Sequence, residues 1–205
     1  DVYVRIIDYK TGKKDFNIVK TYYGIDIQLM VYMEAAMKLV AKMRPGKNVI
    51  PAGVFYYNIS DPIVSATTES AEEIEDKIKG ELRLKGMVNS DKDIAEKMDN
   101  TEGTSLNIPV SRKADGGFDS RRSKVMNTEQ FNILGRFVDV RAIDTADRIA
   151  GGDIRRSPYK DGQFSSCDRC PYGAVCGFSV DLPGCNYRKL KKFDDEVLWN
   201  NIKEG

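Results

Sequence analysis

The pattern of hydrophobic and polar positions first predicts a strand at the start of the chain. Val2 to Thr11 is dominated by valine, isoleucine and tyrosine, its apolar residues occupy both alternating faces, and Gly12 ends it. Apolar residues on both faces are typical of a strand that is buried on both sides. The pattern therefore predicts a central strand in a sheet covered by helices.

The apolar positions then change to the three-and-four spacing of a helix from Tyr22 to Met43. Its expected core face comprises Ile25, Leu29, Tyr32 or Met33, Ala36, Met37 and Val40. Arg44-Pro45-Gly46 ends the helix, and a second strand follows in Val54 to Ile59. A strand, a helix and a second strand in this order predict a parallel βαβ crossover.

Residues 66–150 change character and carry many charges. Thr68 to Leu84 and Asp91 to Met98 predict two helices, and Ser105 to Phe118 predicts a hairpin. Thr128 is the expected N-cap of a long helix to Ile149, which Gly151-Gly152 ends. Its apolar positions include Phe131, Leu134, Phe137, Val138 and Ile143. No chemical motif stands out, so we expect structural packing, or a platform for DNA or a partner subunit.

Composition narrows the class of protein. The 205 residues are 41% hydrophobic and 31% charged, as in a soluble globular protein. No run approaches the roughly 20 apolar residues of a membrane span. The absence of histidine excludes a histidine-based triad or a histidine-ligated metal within this sequence.

The net charge is only +1, so any DNA contact has to come from local basic groups. Three such groups stand out: Lys10, Lys13, Lys14 and Lys20; then Arg121, Arg122 and Lys124; and finally Arg188, Lys189, Lys191 and Lys192. Charge runs are more often solvated surface than phosphate contacts. The first group is the strongest candidate for a DNA contact because it surrounds the end of the first strand, where the candidate chemical groups described next lie.

Asp8 and Lys10 are the first candidate chemical groups. They share one face of the strand at its C-terminal end, where α/β sheets tend to place their sites. The carboxylate suits Mg²⁺ or Mn²⁺, and the lysine is able to orient or deprotonate a water. A strand-end salt bridge explains the same triplet equally well, and Glu75-x-Lys77 matches the same loose pattern.

Gln28 and Tyr32 lie one helical turn apart, beside the apolar face. Burying a glutamine costs free energy unless it is hydrogen-bonded, so we expect it to have a partner. The alternative is a solvated glutamine at the helix boundary.

All four cysteines lie within 19 residues, spaced Cys167-x₂-Cys170-x₅-Cys176-x₈-Cys185. Closely spaced thiolates can converge on one metal centre, whereas two disulfides require an oxidising compartment that nothing in the sequence indicates. The donor set fits zinc or an iron–sulfur cluster. The cysteine spacing alone slightly favours zinc over an iron–sulfur cluster.

These motifs together resemble a known family. Asp8-Tyr9-Lys10-Thr11-Gly12 followed by Gln28-Leu29-x-x-Tyr32 resembles the RecB-type branch of the PD-(D/E)XK nucleases, and within it the C-terminal nuclease domains of the AddB component of AddAB-type helicase–nucleases. The resemblance also extends to Tyr22-Tyr23-Gly24, to Pro51–Tyr57 and to the cysteine-rich Ser166–Leu190.

The resemblance implies an α/β fold of the restriction-endonuclease type, with a central mixed sheet flanked by helices. It implies a nuclease core in residues 1–65, a helical and hairpin insertion in 66–150, and a cysteine-rich staple and tail of the same domain in 151–205.

It also implies metal-dependent hydrolysis of DNA phosphodiesters. Asp8 and the Tyr9 carbonyl would bind Mg²⁺ or Mn²⁺, and Lys10 would position or activate the attacking water. Gln28 would orient the lysine or a water on the phosphate side, and Tyr32 would support Gln28. The expected DNA contacts are Lys13, Lys14 and Lys20.

The resemblance reverses the preference for zinc at the cysteines. Cys167, Cys170 and Cys176 match three ligands of the family's [4Fe–4S] cluster, and Cys185 is expected to be a free thiol. The family's first metal-binding aspartate and its remaining cluster cysteine lie upstream of Asp1, which stands where an initiator methionine would. We therefore expect a fragment of a longer polypeptide, inactive and metal-poor on its own.

For the whole protein, the resemblance implies an ATP-dependent bacterial helicase–nuclease that processes double-strand breaks for recombinational repair. Its expected partners are DNA and the helicase component AddA, in the cytoplasm and away from membranes. One alternative is a stand-alone Cas4-like exonuclease. Another is a zinc-stapled module that binds DNA or protein, in which Asp8 and Lys10 merely pair.

Overall fold

The computed structural model describes residues 1–59, 62, 64 and 70–205. In chain order, its elements are β1 (Val2–Lys10), α1 (Ile18–Tyr22), α2 (Gln28–Met43), β2 (Val49–Asn58), α3 (Ala71–Leu82), β3 (Lys85–Asn89), α4 (Lys92–Met98), β4 (Val125–Met126), α5 (Thr128–Ala150), β5 (Tyr159–Asp161), β6 (Phe164–Ser165), α6 (Gly173–Cys176), β7 (Arg188–Lys189) and α7 (Asp195–Glu204). The chain divides into two compact units, residues 1–139 with 202–205, and residues 140–201. The division predicted at residues 65 and 150 stays a prediction.

The first unit is built on the predicted crossover. β1 and β2 are parallel neighbours, joined by a connection that contains α2, and α2 packs against both strands. The register places Asp8 opposite Tyr56 and Lys10 opposite Asn58. The carboxyl ends of the two strands therefore meet at one edge of the sheet, which is where the candidate site lies.

The mixed sheet has the order β1-β2-β3-β4. β3 runs antiparallel to β2, and β4 runs parallel to β3. One face is covered by α2, and the core on the other face contains Phe55, Val88, Ala95, Ile108 and Val110. A mixed sheet flanked by helices is the fold class that the family resemblance implies.

The prediction that the first strand is central was wrong for the sheet that the structure describes. β1 lies at its edge, and of its residues only Val4 is buried. The central, buried strand is β2, in which the six residues from Pro51 to Tyr56 are all buried. An edge strand whose two faces are partly covered has apolar residues on both faces, as a central strand does. The sequence pattern therefore does not distinguish the two.

The helix predicted from Tyr22 begins instead at Gln28. Gly24 adopts a left-handed conformation with φ of 75°, which interrupts the helical path between α1 and α2. Ile25 therefore lies before the helix. Leu29 and Met33 are buried as expected, whereas Tyr32 is 45% exposed.

Two strands of the sheet, β3 and β4, come from residues 66–150, where the sequence predicts helices and a hairpin. α3 is shorter than predicted, begins with a Ser70–Glu73 capping box, and gives way to β3 at Lys85. The predicted start, Thr68, lies outside the described residues. Gly86 makes the pairing possible, because a Cβ at this position would lie 1.9 Å from the carbonyl oxygen of Val54 in β2.

The helix α4 confirms the prediction for this stretch, with Asp91 as its N-cap. Asp99 fixes the turn that follows by accepting hydrogen bonds from the Thr101 amide, the Ser105 hydroxyl and the Asn107 side chain. Burial would raise the pKa of Asp99, but these hydrogen bonds outweigh it and lower the pKa to about 2. The predicted hairpin is reduced to two isolated bridges, Thr104–Ser111 and Arg112–Phe118.

The long helix α5 confirms the predicted element but not its cap. At its start, the Gln130 amide donates to Oδ1 of Asn127 and the Asn127 amide donates to Oε1 of Gln130, so the capping residue is Asn127 and not Thr128. Ile143, predicted to face the core, is 62% exposed. Gly152 adopts φ of 73° just after the helix, as expected of a stop.

The second unit contains a small sheet of order β6-β5-β7. β5 pairs antiparallel with β6 and parallel with β7. Across the part of the chain that the structure describes, no helix is long and apolar enough to cross a membrane.

Candidate active site

Asp8 and Lys10 lie on one face at the end of β1, as the strand period predicts. The Lys10 ammonium lies 2.8 Å from Oδ2 of Asp8. The Asp8 side chain is 17% exposed and that of Lys10 is 29% exposed, so the pair is largely shielded but still reachable from solvent. A carboxylate and an ammonium side by side at the edge of the sheet provide one ligand for a cation and one donor for an anion.

Gln28 links this pair to the helix. Its Oε1 accepts a hydrogen bond from Nζ of Lys10 at 2.8 Å, and its Nε2 donates to the Tyr32 hydroxyl at 2.9 Å. The expected partner of the glutamine therefore exists, and the four predicted residues form one continuous chain of contacts. We call Lys10, Gln28 and Tyr32 the relay.

The relay forms because Gln28 is the first residue of α2. The helix therefore begins beside the carboxyl end of β1, and one turn later its backbone brings Tyr32 to the same side. Both contacts to Gln28 are exposed to solvent. Their geometry depends on where the helix starts rather than on a buried environment.

The structure adds residues that sequence reasoning missed. Tyr56 lies under the site, with its ring centre 5.6 Å from the Lys10 ammonium and 5.8 Å from the Lys14 ammonium. Lys14 forms an ion pair with Asp26 at 2.5 Å. The parallel pairing of β1 and β2 was the available signal for Tyr56, but nothing in the sequence pattern points to Asp26.

Tyr56 experiences the negative charge of the site. Its pKa is raised to about 12, first by burial and then by the carboxylates of Asp26 and Asp8. Its phenol therefore stays neutral over the physiological range. In this state it can donate a hydrogen bond but does not act as a base.

Asp8 is the residue best suited to a cation. Among the described residues, its buried Oδ2 has no hydrogen-bond partner: the Lys10 ammonium is close to it, but not in hydrogen-bond geometry. An oxygen in this state is a suitable ligand for a hard cation. The Tyr9 ring packs edge-on against Tyr57 at 5.6 Å, and its backbone carbonyl stays a predicted further ligand.

The structure shows no complete metal site in the residues that it describes, where no three acidic, cysteine or histidine side chains are grouped to hold a cation. Asp8 accordingly fits a metal as a single carboxylate ligand. Water, substrate phosphate or other ligands would have to supply the remaining coordination.

The predicted DNA-contact lysines separate in the structure. Lys13 and Lys14 follow β1 and line a pocket of about 400 Å³. Lys20 lies in the last turn of α1 and does not belong to the lining of that pocket.

The cysteine-rich segment lies in the second unit, and all four cysteines are free thiols. Cys167 and Cys170 are joined by a turn, and Cys176 ends α6. No three metal-binding side chains are grouped anywhere in the described ranges, so the structure does not show the predicted iron–sulfur site. The cluster stays a prediction.

Comparisons with known proteins identify a matching family and similar proteins. The model of the PD-(D/E)XK nuclease superfamily matches residues 1–177. The chain is 39% identical, over 98% of its length, to the B component of the ATP-dependent helicase/deoxyribonuclease of Clostridium botulinum strain Hall, of which it covers 18%. It is 36% identical to the protein of the same name from Thermoanaerobacter sp. strain X514, again over 98% of this chain and 18% of the relative. The chain thus spans less than a fifth of these relatives.

Proposed function

Because the chain belongs to the PD-(D/E)XK nuclease superfamily, we propose that it is the nuclease part of a helicase–deoxyribonuclease and hydrolyses DNA phosphodiester bonds. The observation that carries the proposal is the continuous contact chain from Asp8 through Lys10 and Gln28 to Tyr32. A lone strand-end salt bridge does not require a glutamine and a tyrosine to hold its lysine.

The proposed mechanism uses Mg²⁺ or Mn²⁺, which would supply Lewis acidity and lower the pKa of a bound water. Asp8 would hold the cation through the oxygen that lacks a hydrogen-bond partner, with the Tyr9 carbonyl as a further ligand. Lys10 would direct its ammonium toward the attacking water or a phosphate oxygen. Gln28 would fix the position of that ammonium, and Tyr32 would fix the orientation of the Gln28 carboxamide.

The wider setting of the activity is also a proposal. The relatives are named as the B component of an ATP-dependent helicase/deoxyribonuclease. We therefore infer a second, helicase component as partner and DNA as substrate. We also infer exonuclease action at double-strand breaks in the bacterial cytoplasm.

The test compares Asp8→Asn with Glu75→Gln in the complete polypeptide that contains this chain. Both changes remove one carboxylate from an acid-x-Lys triplet, but Glu75 lies on α3 in an exposed pair with Lys79. Asp8→Asn is expected to lower cleavage of labelled single-stranded DNA at least about a hundredfold, since losing a metal's charge stabilisation costs several kcal/mol. Glu75→Gln is expected to cleave normally.

Near-normal cleavage by Asp8→Asn, with Mg²⁺ or Mn²⁺ supplied, would contradict the proposal. It would favour the alternative in which Asp8 and Lys10 only pair. Melting curves of both variants show whether a loss of activity comes from unfolding.

A further inference from the structure

The pocket beside the candidate site concentrates positive charge. Its lining, within the first unit, includes two acidic residues and six basic ones, Lys13, Lys14, Arg83, Lys85, Arg122 and Lys124. The whole chain has a net charge of only +1. The excess of basic residues in this one pocket therefore marks a local attraction for anions that the overall charge conceals.

Two basic groups that are distant in the sequence form this pocket together. Lys13 follows β1, whereas Arg122 and Lys124 precede β4. An ion pair of 2.5 Å between Lys124 and Asp15 joins the two segments. The fold thus combines the first and second basic groups of the sequence into one surface.

Four of these six cations already have partners that occupy them. Arg83 donates to the carbonyl oxygens of Ile108 and Val110, and Lys85 donates to the carbonyl oxygen of Gly80. Lys14 and Lys124 pair with Asp26 and Asp15 respectively. Such groups shape the pocket more than they offer it free donors.

Lys13 and Arg122 are the available donors. Lys13 is exposed and has no side-chain partner in the described part of the chain. Arg122 is 67% exposed and uses two of its guanidinium nitrogens on Asp119, at 3.0 and 3.1 Å. Its third nitrogen has no partner among the residues that the structure describes and is able to donate.

The pocket adjoins the candidate site through a common wall. Asn58 lies opposite Lys10 in the strand register and also lines the pocket. The ammonium groups of Lys10 and Lys14 both lie within 6 Å of the centre of the Tyr56 ring. A chain of phosphates that passes Lys10 would therefore reach the pocket within a short distance.

We propose that this pocket binds a phosphate of the DNA strand beside the cleaved bond, with Lys13 and Arg122 as its contacts. A strand carries one negative charge per nucleotide, and such contacts position the backbone without reading its sequence. The pocket volume lies in the range of small ligand sites, large enough for a sugar and its phosphate. This inference rests on the proposed nuclease function.

The first test measures binding of the 205-residue chain to labelled oligodeoxythymidine by fluorescence anisotropy at several salt concentrations. The pocket variant is Lys13→Ala with Arg122→Ala. The matched control is Lys42→Ala with Lys47→Ala, which removes the same charge from exposed positions at the end of α2 and before β2, at the opposite end of the parallel strands.

Each phosphate contact to a single strand contributes about 0.7 to the slope of log Kd against log salt. The pocket variant is therefore expected to lower that slope by about 1.4. If both proteins bind equally at 1 M salt, this difference makes the binding of the variant about 25-fold weaker than that of the unchanged chain at 0.1 M salt. The control is expected to keep the original slope. A pocket variant with the slope of the control overturns the proposal.

A second pair of variants separates charge from folding. Lys13→Arg with Arg122→Lys keeps both charges and is expected to retain the original slope, whereas Lys13→Gln with Arg122→Gln is expected to reproduce the loss. Equal slopes for these two variants also overturn the proposal.

Cleavage by the complete polypeptide separates this inference from the proposed function. The pocket variant is expected to raise KM for single-stranded DNA by more than tenfold. If Asp8→Asn loses cleavage but the pocket variant keeps an unchanged KM, the proposed phosphate site is overturned and the proposed nuclease function is not. Retained cleavage in Asp8→Asn overturns the proposed function and, with it, the position of the pocket beside a cleaved bond.

Discussion

Replacing Gln28 by alanine tests whether the relay acts as a unit. The change removes the 2.8 Å contact to the Lys10 ammonium and the 2.9 Å contact to the Tyr32 hydroxyl. A hydrogen bond to a charged group contributes about 1.5–3 kcal/mol, and the lower value applies because this contact is exposed. About 1.5 kcal/mol corresponds to a roughly tenfold lower turnover number.

Removing the hydroxyl in Tyr32→Phe breaks only the second, neutral contact. At about 0.5 kcal/mol, its loss is expected to lower turnover two- to threefold. The matched control is Tyr172→Phe, which removes an exposed hydroxyl in the second unit. Because alanine favours helices more than glutamine does, Gln28→Ala is not expected to weaken α2.

The assay is turnover of single-stranded DNA by the complete polypeptide at saturating substrate with Mg²⁺. If the relay positions Lys10, Tyr32→Phe has no further effect once Gln28 is absent, and Gln28→Ala has little further effect once Lys10 is alanine. Losses that multiply independently in these double-mutant cycles would refute the reasoning and place Gln28 outside the catalytic unit.

Three further predictions concern stability and metal content. Gly86→Ala is expected to lower the unfolding free energy, measured by chemical denaturation, by more than about 2 kcal/mol, because the new Cβ would overlap the Val54 carbonyl oxygen. The control is Gly80→Ala, whose Cβ would lie in open space. The pKa of Asp99 is about 2 in the folded state, below its unfolded value of 3.8. Its contribution of about 2 kcal/mol to the unfolding free energy is therefore complete above pH 4 and disappears as pH falls toward 2. Asp99→Asn should flatten that part of the curve of unfolding free energy against pH. Elemental analysis of the purified chain is expected to find little iron, and a full complement with visible absorption would contradict this.

The crossover was predictable because the apolar pattern changes from a continuous strand-like run to the three-and-four spacing of a helix, and back to a continuous run. Each change extends over many residues, so the signal is strong. β4 has only two residues and β3 has five, one of them Gly86. Strands this short contain too few alternations to be recognised, and their place depends on pairing with distant residues.

The same limit explains what was predictable in the site. Asp8 and Lys10 share a face because of the strand period, and Gln28 and Tyr32 because of the helical turn. These relations are local, and the structure brings all four residues together. The ion pair between Lys14 and Asp26 depends on how the α1–α2 connection folds back, which no local period encodes.

Asn58 lowers the conformational entropy that the segment after β1 would lose when an anion binds. Its side chain accepts from the Lys14 amide at 3.0 Å and donates to the Lys14 carbonyl at 3.1 Å, so both ends of the carboxamide clamp the segment that follows β1. That segment has therefore lost much of its conformational entropy before any ligand arrives, at about 1–2 kcal/mol for each ordered backbone residue. The ligand then has to immobilise mainly side chains, so Asn58→Ala should weaken DNA binding although it removes no charge and touches no phosphate.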